Sequence, residues 1–233
     1  MTLAVLKTVS FDDKNLTLQI SRSPDHVGRC QRLRYKVYCV ERGWYNEVRI
    51  SKGHELDAYD NRASHALLTR IDNGESIGVV RLVLPSGDPK NPELPIQEIS
   101  PDPISLIEAP VDLTRIAEVS RFAVTRDYKN WSPAPSVTAG EGKSTSEKRF
   151  SLFSVTLMRA VVLMARENSM EYLCATMEPA LILHLSRLGI KFKALGEAKE
   201  YHGLRQPCFM KLAEVDAEMR RLRPEVHPLV FGV

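Results

Sequence analysis

The sequence has few cysteines and no long hydrophobic run. Its four cysteines lie in apolar surroundings without Cys-x-x-Cys spacing, which is typical of buried free thiols in a reducing compartment. No stretch of about 18 apolar residues is present, so we expect no transmembrane segment. The N-terminus carries no basic region followed by a long apolar run, which argues against a signal peptide. These absences together predict a soluble, cytoplasmic protein.

A large excess of charge of either sign is also missing. The formal net charge is +3 over 233 residues, which is too small to predict nucleic-acid binding but allows a mildly basic patch for an acidic partner. The composition, 43% hydrophobic and 26% charged, is ordinary for a globular protein. A chain of this length buries one sizeable core or two small ones, and it contains no internal repeat. A single domain over residues 1–233 is the simpler expectation.

Two kinds of hydrophobic periodicity alternate along the chain and predict a mixed α/β (α+β) fold, with a sheet covered by helices. A period of two indicates strands, and spacings of three and four indicate helices. The predicted strands are 16–20, 65–72, 76–84, 117–125, 172–177, 192–195 and 208–215, and the predicted helices are 24–42, 151–168, 179–188 and 214–223.

Three segments differ in composition from the rest. Residues 85–112 are proline-rich and suit a loop with one short turn near 95–99. Residues 126–149 are rich in Ser, Pro, Gly and Lys and almost lack aliphatic side chains, which predicts a mobile surface insertion or a lid over a site. Residues 214–233 are predicted to form a charged C-terminal tail that begins with a helix-like pattern.

The central strand, AEVSRFAVT over 117–125, carries the first candidates for chemistry. Alternation places Glu118, Ser120 and Phe122 on one face of the strand. A carboxylate on this half-apolar face is costly to bury without a partner. Either Glu118 pairs with a nearby arginine, or it is a general base at the floor of a pocket.

An acidic segment over residues 44–64 lacks clear periodicity but contains aromatic residues, which favours a packed functional loop. Glu55, Asp57 and Asp60 lie within six residues. Their spacing does not match the EF-hand calcium loop, so we expect no metal site. A solvated acidic loop is the plain alternative to a functional one.

Five short motifs follow one another along the chain: LRYKVY (33–38), Trp44, ELDAYD (55–60), Val80-Arg81-Leu82 and EVSRF (118–122). In this order they resemble the acyl-homoserine-lactone (autoinducer) synthases, a branch of the GNAT acyltransferase fold. Each motif alone is weak, but chance rarely supplies all of them at compatible spacings. The C-terminal half adds Met177-Glu178-Pro179 and EYHGLRQP (200–207). It resembles more the acyltransferases associated with PEP-CTERM/exosortase systems and the long-chain N-acyl amino acid synthases.

The resemblance, which covers residues 15–212, implies a GNAT-like fold. In that fold two neighbouring parallel strands of a twisted mixed sheet, here 117–125 and 171–177, splay apart. The pantetheine arm of an acyl donor threads between them, and exposed backbone N–H groups hold the thioester carbonyl. Glu118 would be the base that takes the proton of the attacking amine, and Ser120 would orient groups by hydrogen bonds. No bound cofactor is implied, because the acyl thioester is a co-substrate.

The resemblance also implies a substrate-binding set. Arg34 and Arg121 are expected to pair with Asp57 and Asp60, either to order the N-terminal loop over the site or as a purely architectural network. Tyr38 and Trp44 would wall the acceptor side, and His202 is either a second polar group near the site or a structural histidine. The full set is Arg34, Tyr38, Trp44, Asp57, Asp60, Arg81, Arg121, Phe122, Met177 and His202.

Three departures from the lactone-forming synthases bear on the acceptor. They are the insertion at 126–149, the segment 200–207, and a C-terminal half whose composition suggests a roomy acyl tunnel. They favour an amino acid or a similar small amine over S-adenosylmethionine. We expect an N-acyltransferase for a medium or long fatty acyl chain. The alternatives are an autoinducer synthase and a non-catalytic lipid-binding module of a protein-sorting system.

The donor is expected to be an acyl carrier protein, with acyl-CoA as the alternative, because no Gly-rich pyrophosphate loop for coenzyme A is evident. The first helix has a polar face that is either a solvated basic surface or a surface for an anionic partner. Together with basic residues near the end of the insertion it suits an acidic carrier protein. The basic residues concerned are Arg29, Arg32, Arg34, Lys36, Lys143, Lys148 and Arg149.

Overall fold

The computed structural model describes residues 7–10, 16–44, 50–100, 103–107, 110–127 and 145–232, and for residues 7–10, 50–51, 103 and 145–149 it describes the backbone alone. The chain divides into two compact units. Unit 1 comprises residues 1–60, 64–81 and 121–160, and unit 2 comprises residues 61–63, 82–120 and 161–233.

The secondary structure of the described residues alternates between strands and helices. The strands are β1 (Lys7–Ser10), β2 (Leu16–Ser21), β3 (Ile50–Ser51), β4 (His54–Glu55), β5 (Ala63–Arg70), β6 (Ser76–Val83), β7 (Ile116–Val124), β8 (Tyr172–Met177), β9 (Lys193–Ala194), β10 (Lys199–Glu200) and β11 (Leu204–Lys211). The α-helices are α1 (Pro24–Arg34), α2 (Ile96–Ile99), α3 (Thr145–Glu167), α4 (Pro179–Arg187), α5 (Leu212–Leu222) and α6 (His227–Phe231).

The main sheet is mixed and mostly antiparallel. Its strand order is β1-β2-β5-β6-β7-β8-β11-β10, and β9 also pairs with β11. β7 and β8 are parallel, whereas β8 and β11 are antiparallel. β3 and β4 form a separate two-stranded sheet. This architecture confirms the predicted α/β (α+β) class and the predicted parallel pair at the centre of the sheet.

In unit 1, helices cover both faces of the strands. Ser23 caps the start of α1, because its hydroxyl accepts a backbone N–H of the first turn at 3.4 Å. The apolar face of α1, with Leu33, packs in one cluster with Leu67 and Val79 of the sheet. On the opposite face, a Cβ at Gly78 would lie 3.5 Å from a methyl group of Leu157 in α3. Unit 1 therefore has apolar packing on each side of its strands.

The helix predicted over residues 24–42 changes type part-way along. α1 ends at Arg34, and residues Tyr35–Glu41 continue as a π-helix. At its end the backbone N–H of Trp44 donates to the carbonyl of Tyr38 at 2.8 Å. π-helical segments are rare and frequently occur at functional sites.

Unit 2 is built on the antiparallel pair β8 and β11, which leads directly into α5. Leu212, Val215 and Met219 are buried on one side of α5 at helical spacing. Asp216 Oδ1 lies 2.6 Å from Nε2 of His227 at the start of α6. Two helices that contact one another, α5 and α6, therefore form most of residues 212–231.

Three predicted boundaries in the second half of the chain are wrong. The strand predicted over 208–215 ends at 211, because the apolar spacing of residues 212–219 is helical. Residues 214–232 are largely helical and packed, not a tail. The last five residues of the 126–149 segment begin α3, since this stretch contains the good helix formers Glu, Lys and Arg. Residues 128–144 lie outside the described residues.

Across the part of the chain that the structure describes, no helix combines the length and the apolar character needed to cross a membrane.

Candidate active site

The parallel strands β7 and β8 separate before either one ends. Their ladder runs from Ile116 and Tyr172 to Val119 and Ala175. Beyond that pair, β7 continues to residue 124 and β8 to residue 177. On its other side β8 stays paired with β11 as far as Met177. The separating strands are the pair that the resemblance implied.

Arg121 interrupts the regular pleat of β7. Its φ angle is +53°, in the left-handed region that non-glycine residues rarely adopt. The alternation predicted over residues 117–125 therefore does not continue unbroken through Arg121. Such a local irregularity in a strand re-aims the neighbouring side chains and is often found beside active sites.

Glu118 lies at the last rungs of the β7–β8 ladder and is 3% exposed. Its Oε2 accepts a hydrogen bond from the backbone N–H of Ile96, the first residue of α2, at 2.6 Å. Burial first, and then the negative charge of Glu118, raise the pKa of the buried thiols of Cys174 and Cys208. These thiols are therefore protonated, and they lie near a buried carboxylate.

Six charged side chains of unit 1 form one cluster, which we call the ion-pair cluster. Arg34 Nε lies 2.5 Å from Glu55, and Arg34 Nη1 lies 2.7 Å from Asp60. Arg81 Nη1 lies 2.5 Å from Asp57 and 2.7 Å from Asp60. Arg121 Nη2 lies 2.8 Å from Glu55 and 2.9 Å from Asp57. The members of the ion-pair cluster are Arg34, Arg81, Arg121, Glu55, Asp57 and Asp60.

The ion-pair cluster is balanced in charge and holds its carboxylates ionised. Burial alone would raise the pKa of Glu55, but the guanidinium groups of Arg34 and Arg121 outweigh it and lower that pKa. The pKa of Asp60 is likewise held well below its usual range, against burial, by Arg34 and Arg81. Because each carboxylate has guanidinium partners, these oxygens are not arranged for a metal. Among the described residues, no group of three or more His, Cys, Asp or Glu has a metal-binding arrangement.

Two aromatic rings stand next to the ion-pair cluster within unit 1. Tyr38 and Trp44 are stacked with ring centroids 5.7 Å apart. The guanidinium carbon of Arg121 lies 5.9 Å from the Tyr38 ring, and that of Arg42 lies 4.4 Å from the Trp44 ring. The π-helix thus places an aromatic surface, already contacted by cations, beside the charged side chains.

The remaining predicted site residues have different environments. Ser120 and Phe122 are half-buried on β7, on either side of Arg121. Met177 is 5% exposed at the end of β8. His202 is exposed in the turn between β10 and β11, where its carbonyl accepts a hydrogen bond from Arg205 at 2.8 Å. Their assignment to substrate binding stays a prediction.

The sequence patterns missed two members of this environment. Glu55 was recognised as acidic but not as a cluster member, although it is fully buried between Arg34 and Arg121. Its place two residues before Asp57 in ELDAYD was the available signal. His65 is fully buried with its Nε2 3.9 Å from Asp60, and neither ring nitrogen has a partner at hydrogen-bonding geometry among the described residues. Burial and then the charge of Arg34 lower the pKa of His65 to about 3.

Comparison with known proteins places this geometry in a known fold. Residues 33–136 match the family described as Acetyltransferase (GNAT) domain. The structure is similar to that of the acyl-homoserine-lactone (AHL) synthase LasI, with a TM-score of 0.60 and 19% identity over 93% of this chain and 95% of that one. The chain has the GNAT fold.

Two further matches on this GNAT fold are acyltransferases of different types. FeeM, an N-acyl amino acid synthase from uncultured soil microbes, is similar with a TM-score of 0.57 and 16% identity, over 88% of this chain and 96% of FeeM. The CoA-dependent AHL synthase BjaI, in a structure with SAM and isopentyl-CoA, is similar with a TM-score of 0.57 and 21% identity, over 84% of this chain and 82% of BjaI.

A curated relative also belongs to the AHL synthases. The acyl-homoserine-lactone synthase of Vibrio anguillarum is 29% identical over 112 residues, or 48% of this chain. The match spans about half, 53%, of that relative's own length. The resemblance inferred from the motifs is therefore confirmed at the level of the GNAT fold.

Proposed function

We propose that the protein is an N-acyltransferase. It moves a medium- or long-chain fatty acyl group from a thioester to the amine of an amino acid or a similar small acceptor. The observation that supports this most directly is the separation of β7 and β8 directly after Val119 and Ala175, beside the buried carboxylate of Glu118. Two parallel strands that separate free backbone N–H groups to hold a thioester carbonyl and the oxyanion that forms from it.

The proposed reaction needs no covalent intermediate on the protein. The amine nitrogen attacks the thioester carbonyl carbon, the new C–N bond forms, and the C–S bond breaks. The amine must lose a proton, which Glu118 accepts and the departing thiolate finally takes up. The products are an amide and the free thiol of the donor. Ser120 is assigned an orienting role, because the mechanism requires no nucleophilic hydroxyl.

The ion-pair cluster is proposed to order the acceptor side. Its three guanidinium groups and three carboxylates neutralise one another. It is therefore better suited to fixing the positions of Arg121 and the Tyr38–Trp44 stack than to binding a charged acceptor itself. The similarity to FeeM supports an amino acid as the acceptor. A link to PEP-CTERM/exosortase systems stays a prediction.

An autoinducer synthase that uses S-adenosylmethionine is the second candidate. It is supported by the similarity to LasI and BjaI and by the relative from Vibrio anguillarum, which are all named as AHL synthases. The two candidates share the acyl-transfer step and differ in the acceptor. Consumption of S-adenosylmethionine separates them.

An acyl carrier protein stays the proposed donor and partner, with acyl-CoA as the alternative that the BjaI complex favours. The basic face predicted on α1 is smaller than expected, because Arg34 is fully buried and Arg29 donates hydrogen bonds to Gln19 and Thr69. Lys143 lies outside the described residues. Release of free thiol from matched acyl-carrier and acyl-CoA donors discriminates between the two.

The proposal is tested by mass spectrometry of lipid extracts from cells that express the protein, beside cells that express Glu118→Gln. We expect new N-acyl amino acids that are absent from the Glu118→Gln culture. New acyl lactones would establish the second candidate instead. Identical extracts from both cultures and from empty-vector cells would contradict acyl transfer to a cellular amine.

A further inference from the structure

We propose that Arg62 is a positioning residue for Glu118 and acts through the loop between β6 and α2. The inference rests on the proposed function, because Arg62 has a catalytic consequence only where Glu118 takes part in acyl transfer. Arg62 is not among the residues that the autoinducer-synthase motifs implicate. It lies in unit 2 together with the loop and with Glu118.

The guanidinium group of Arg62 joins the two limbs of this loop. Its Nη1 donates to the carbonyl of Leu84 at 2.6 Å and to the carbonyl of Pro92 at 3.2 Å, and its Nη2 donates to the carbonyl of Glu93. The carbonyl of Arg62 in turn accepts the N–H of Leu84 at 3.0 Å. A planar group with several donors in fixed directions suits this bridge, whereas a lysine ammonium is a single point.

The loop between these anchors is also held by contacts of its own. The N–H of Ser86 donates to the carbonyl of Pro92 at 2.9 Å, and the Ser86 hydroxyl donates to the carbonyl of Asn91 at 2.7 Å. The amide of Gln97 donates to the side chain of Asn91 at 3.0 Å. The loop therefore closes as one piece and leads into α2 at a set position.

The first residue of α2, which follows this loop, donates a hydrogen bond to Glu118, the candidate base. Ile96 is fully buried, and its N–H lies 2.6 Å from Oε2 of Glu118. A hydrogen bond to a carboxylate is among the stronger kinds and fixes the orientation of the group. Loss of the Arg62 guanidinium leaves the loop closed by its Ser86 contacts but weakens its attachment to the chain before β5, so the Ile96 N–H and the carboxylate lose their common position. A shift of about 1 Å in a catalytic group can cost on the order of 100-fold in rate.

The first test measures the exchange of the Ile96 amide hydrogen in full-length Arg62→Ala. Arg223→Ala is the matched control, because Arg223 also donates to a backbone carbonyl of unit 2, that of Arg187. We expect exchange at Ile96 to accelerate by about tenfold or more in Arg62→Ala and to stay unchanged in the control. Unchanged protection at Ile96 in Arg62→Ala would overturn the proposal.

The second test places Arg62→Ala in wild-type and Glu118→Gln backgrounds. The assay supplies medium- and long-chain acyl-CoA and acyl-carrier thioesters, with the common amino acids and S-adenosylmethionine as acceptors. We expect kcat to fall roughly 10- to 100-fold in the wild-type background, with the KM for the donor changed by less than about threefold. In the Glu118→Gln background we expect no further loss. An equal loss in both backgrounds would show that Arg62 does not act through Glu118.

The two tests separate failure of this inference from failure of the proposed function. If the wild-type protein transfers no acyl group to any acceptor in the assay, the proposed function fails. The exchange rate of the Ile96 amide then still decides whether Arg62 holds the loop. If the wild-type protein is active and Glu118→Gln is fully active too, the base assignment fails, and with it the catalytic part of the inference.

Discussion

Among the carboxylates of the ion-pair cluster, the side chain of Glu55 is the most buried. Its relative exposure is 0%, compared with 12% for Asp57 and 8% for Asp60. Removing one partner from a buried ion pair leaves an uncompensated charge, which usually destabilises a protein more than the pair stabilised it.

We expect Glu55→Gln to lower the free energy of unfolding by about 3–5 kcal/mol, because Arg34 and Arg121 keep their buried charges. Chemical denaturation followed by circular dichroism measures this change. Glu225→Gln is the control, since Glu225 is 61% exposed and pairs with Arg223 at 2.7 Å. Its loss should stay below about 1 kcal/mol. Equal losses for the two variants would contradict the burial argument.

His65 makes the folding stability of unit 1 depend on pH. In the unfolded chain a histidine gains a proton below about pH 6.5, whereas the folded pKa of His65 is about 3. Between these values the unfolded state binds one more proton, so stability falls as the pH is lowered from 6.5 towards 3. Nearer pH 4 and below, protonation of the Glu55, Asp57 and Asp60 carboxylates adds a further loss, because their folded pKa values are also lowered.

We therefore expect His65→Gln to flatten the dependence of unfolding free energy on pH between about 6.5 and 4.5. The wild-type protein should exceed the variant in slope by at most about 1.4 kcal/mol per pH unit, the contribution of one proton. Urea titrations at a series of pH values measure both slopes. Parallel curves would show that His65 is protonated in the folded protein. His26, whose pKa is also lowered by burial, is present in both proteins and cancels in the comparison.

At the level of single residues, the resemblance predicted that Arg34 and Arg121 pair with Asp57 and Asp60. Arg34 does pair with Asp60 and Arg121 with Asp57, but the shared pairing of both arginines with Glu55 was not predicted. The motifs did not predict that the N–H donors of each guanidinium group bind two carboxylates, because this depends on the positions that the fold gives to these side chains. The hydrogen bond from Ile96 to Glu118 was not predictable either. A backbone N–H carries no sequence signature. Ile96, which donates it, lies 22 residues before Glu118, at the start of a short helix within the proline-rich segment.

At the level of elements, strong local periodicity was sufficient for β8, for the β5–β6 hairpin and for most of α3. Very short elements such as β3, β4 and α6 contain too few residues to show a hydrophobic periodicity. The π-helix was missed for a different reason. Its side-chain pattern over residues 35–41 continues that of α1 closely enough to read as one α-helix, and only the hydrogen-bond geometry distinguishes the two.

The turn after α4 provides a test at this scale. Gly189 has a φ angle of +91°, and a Cβ there would lie 2.9 Å from Cγ of Arg223. Gly74, in the β5–β6 turn, has a φ angle of +71°, and no atom of the described residues lies within 4 Å of such a Cβ. At both positions a substitution for glycine would strain the backbone, but the two positions differ in steric space.

We expect Gly74→Ala to cost about 1 kcal/mol of unfolding free energy through backbone strain alone. Gly189→Ala should cost at least about 1 kcal/mol more, because Arg223 has to move. Thermal or urea denaturation of the two variants measures the difference. Equal losses would show that the Arg223 side chain moves aside without cost.

At the level of the whole molecule, the order of the motifs predicted the GNAT fold and its separated strand pair, because these motifs are tied to one arrangement of strands. The acceptor was not predictable in the same way. Proteins named as AHL synthases and as an N-acyl amino acid synthase have folds similar to this one, so the fold does not distinguish their acceptors. The product identified in cell extracts decides that question.

The central claim is that Glu118 takes the proton of the attacking amine. The most direct measurement is the initial rate of N-acyl product formation by purified wild-type protein, Glu118→Gln and Ser120→Ala, with the donor and acceptor found in the extracts. We predict a loss of about 10²- to 10⁴-fold for Glu118→Gln and a much smaller loss for Ser120→Ala. A Glu118→Gln protein that is folded and keeps the wild-type rate would contradict the account.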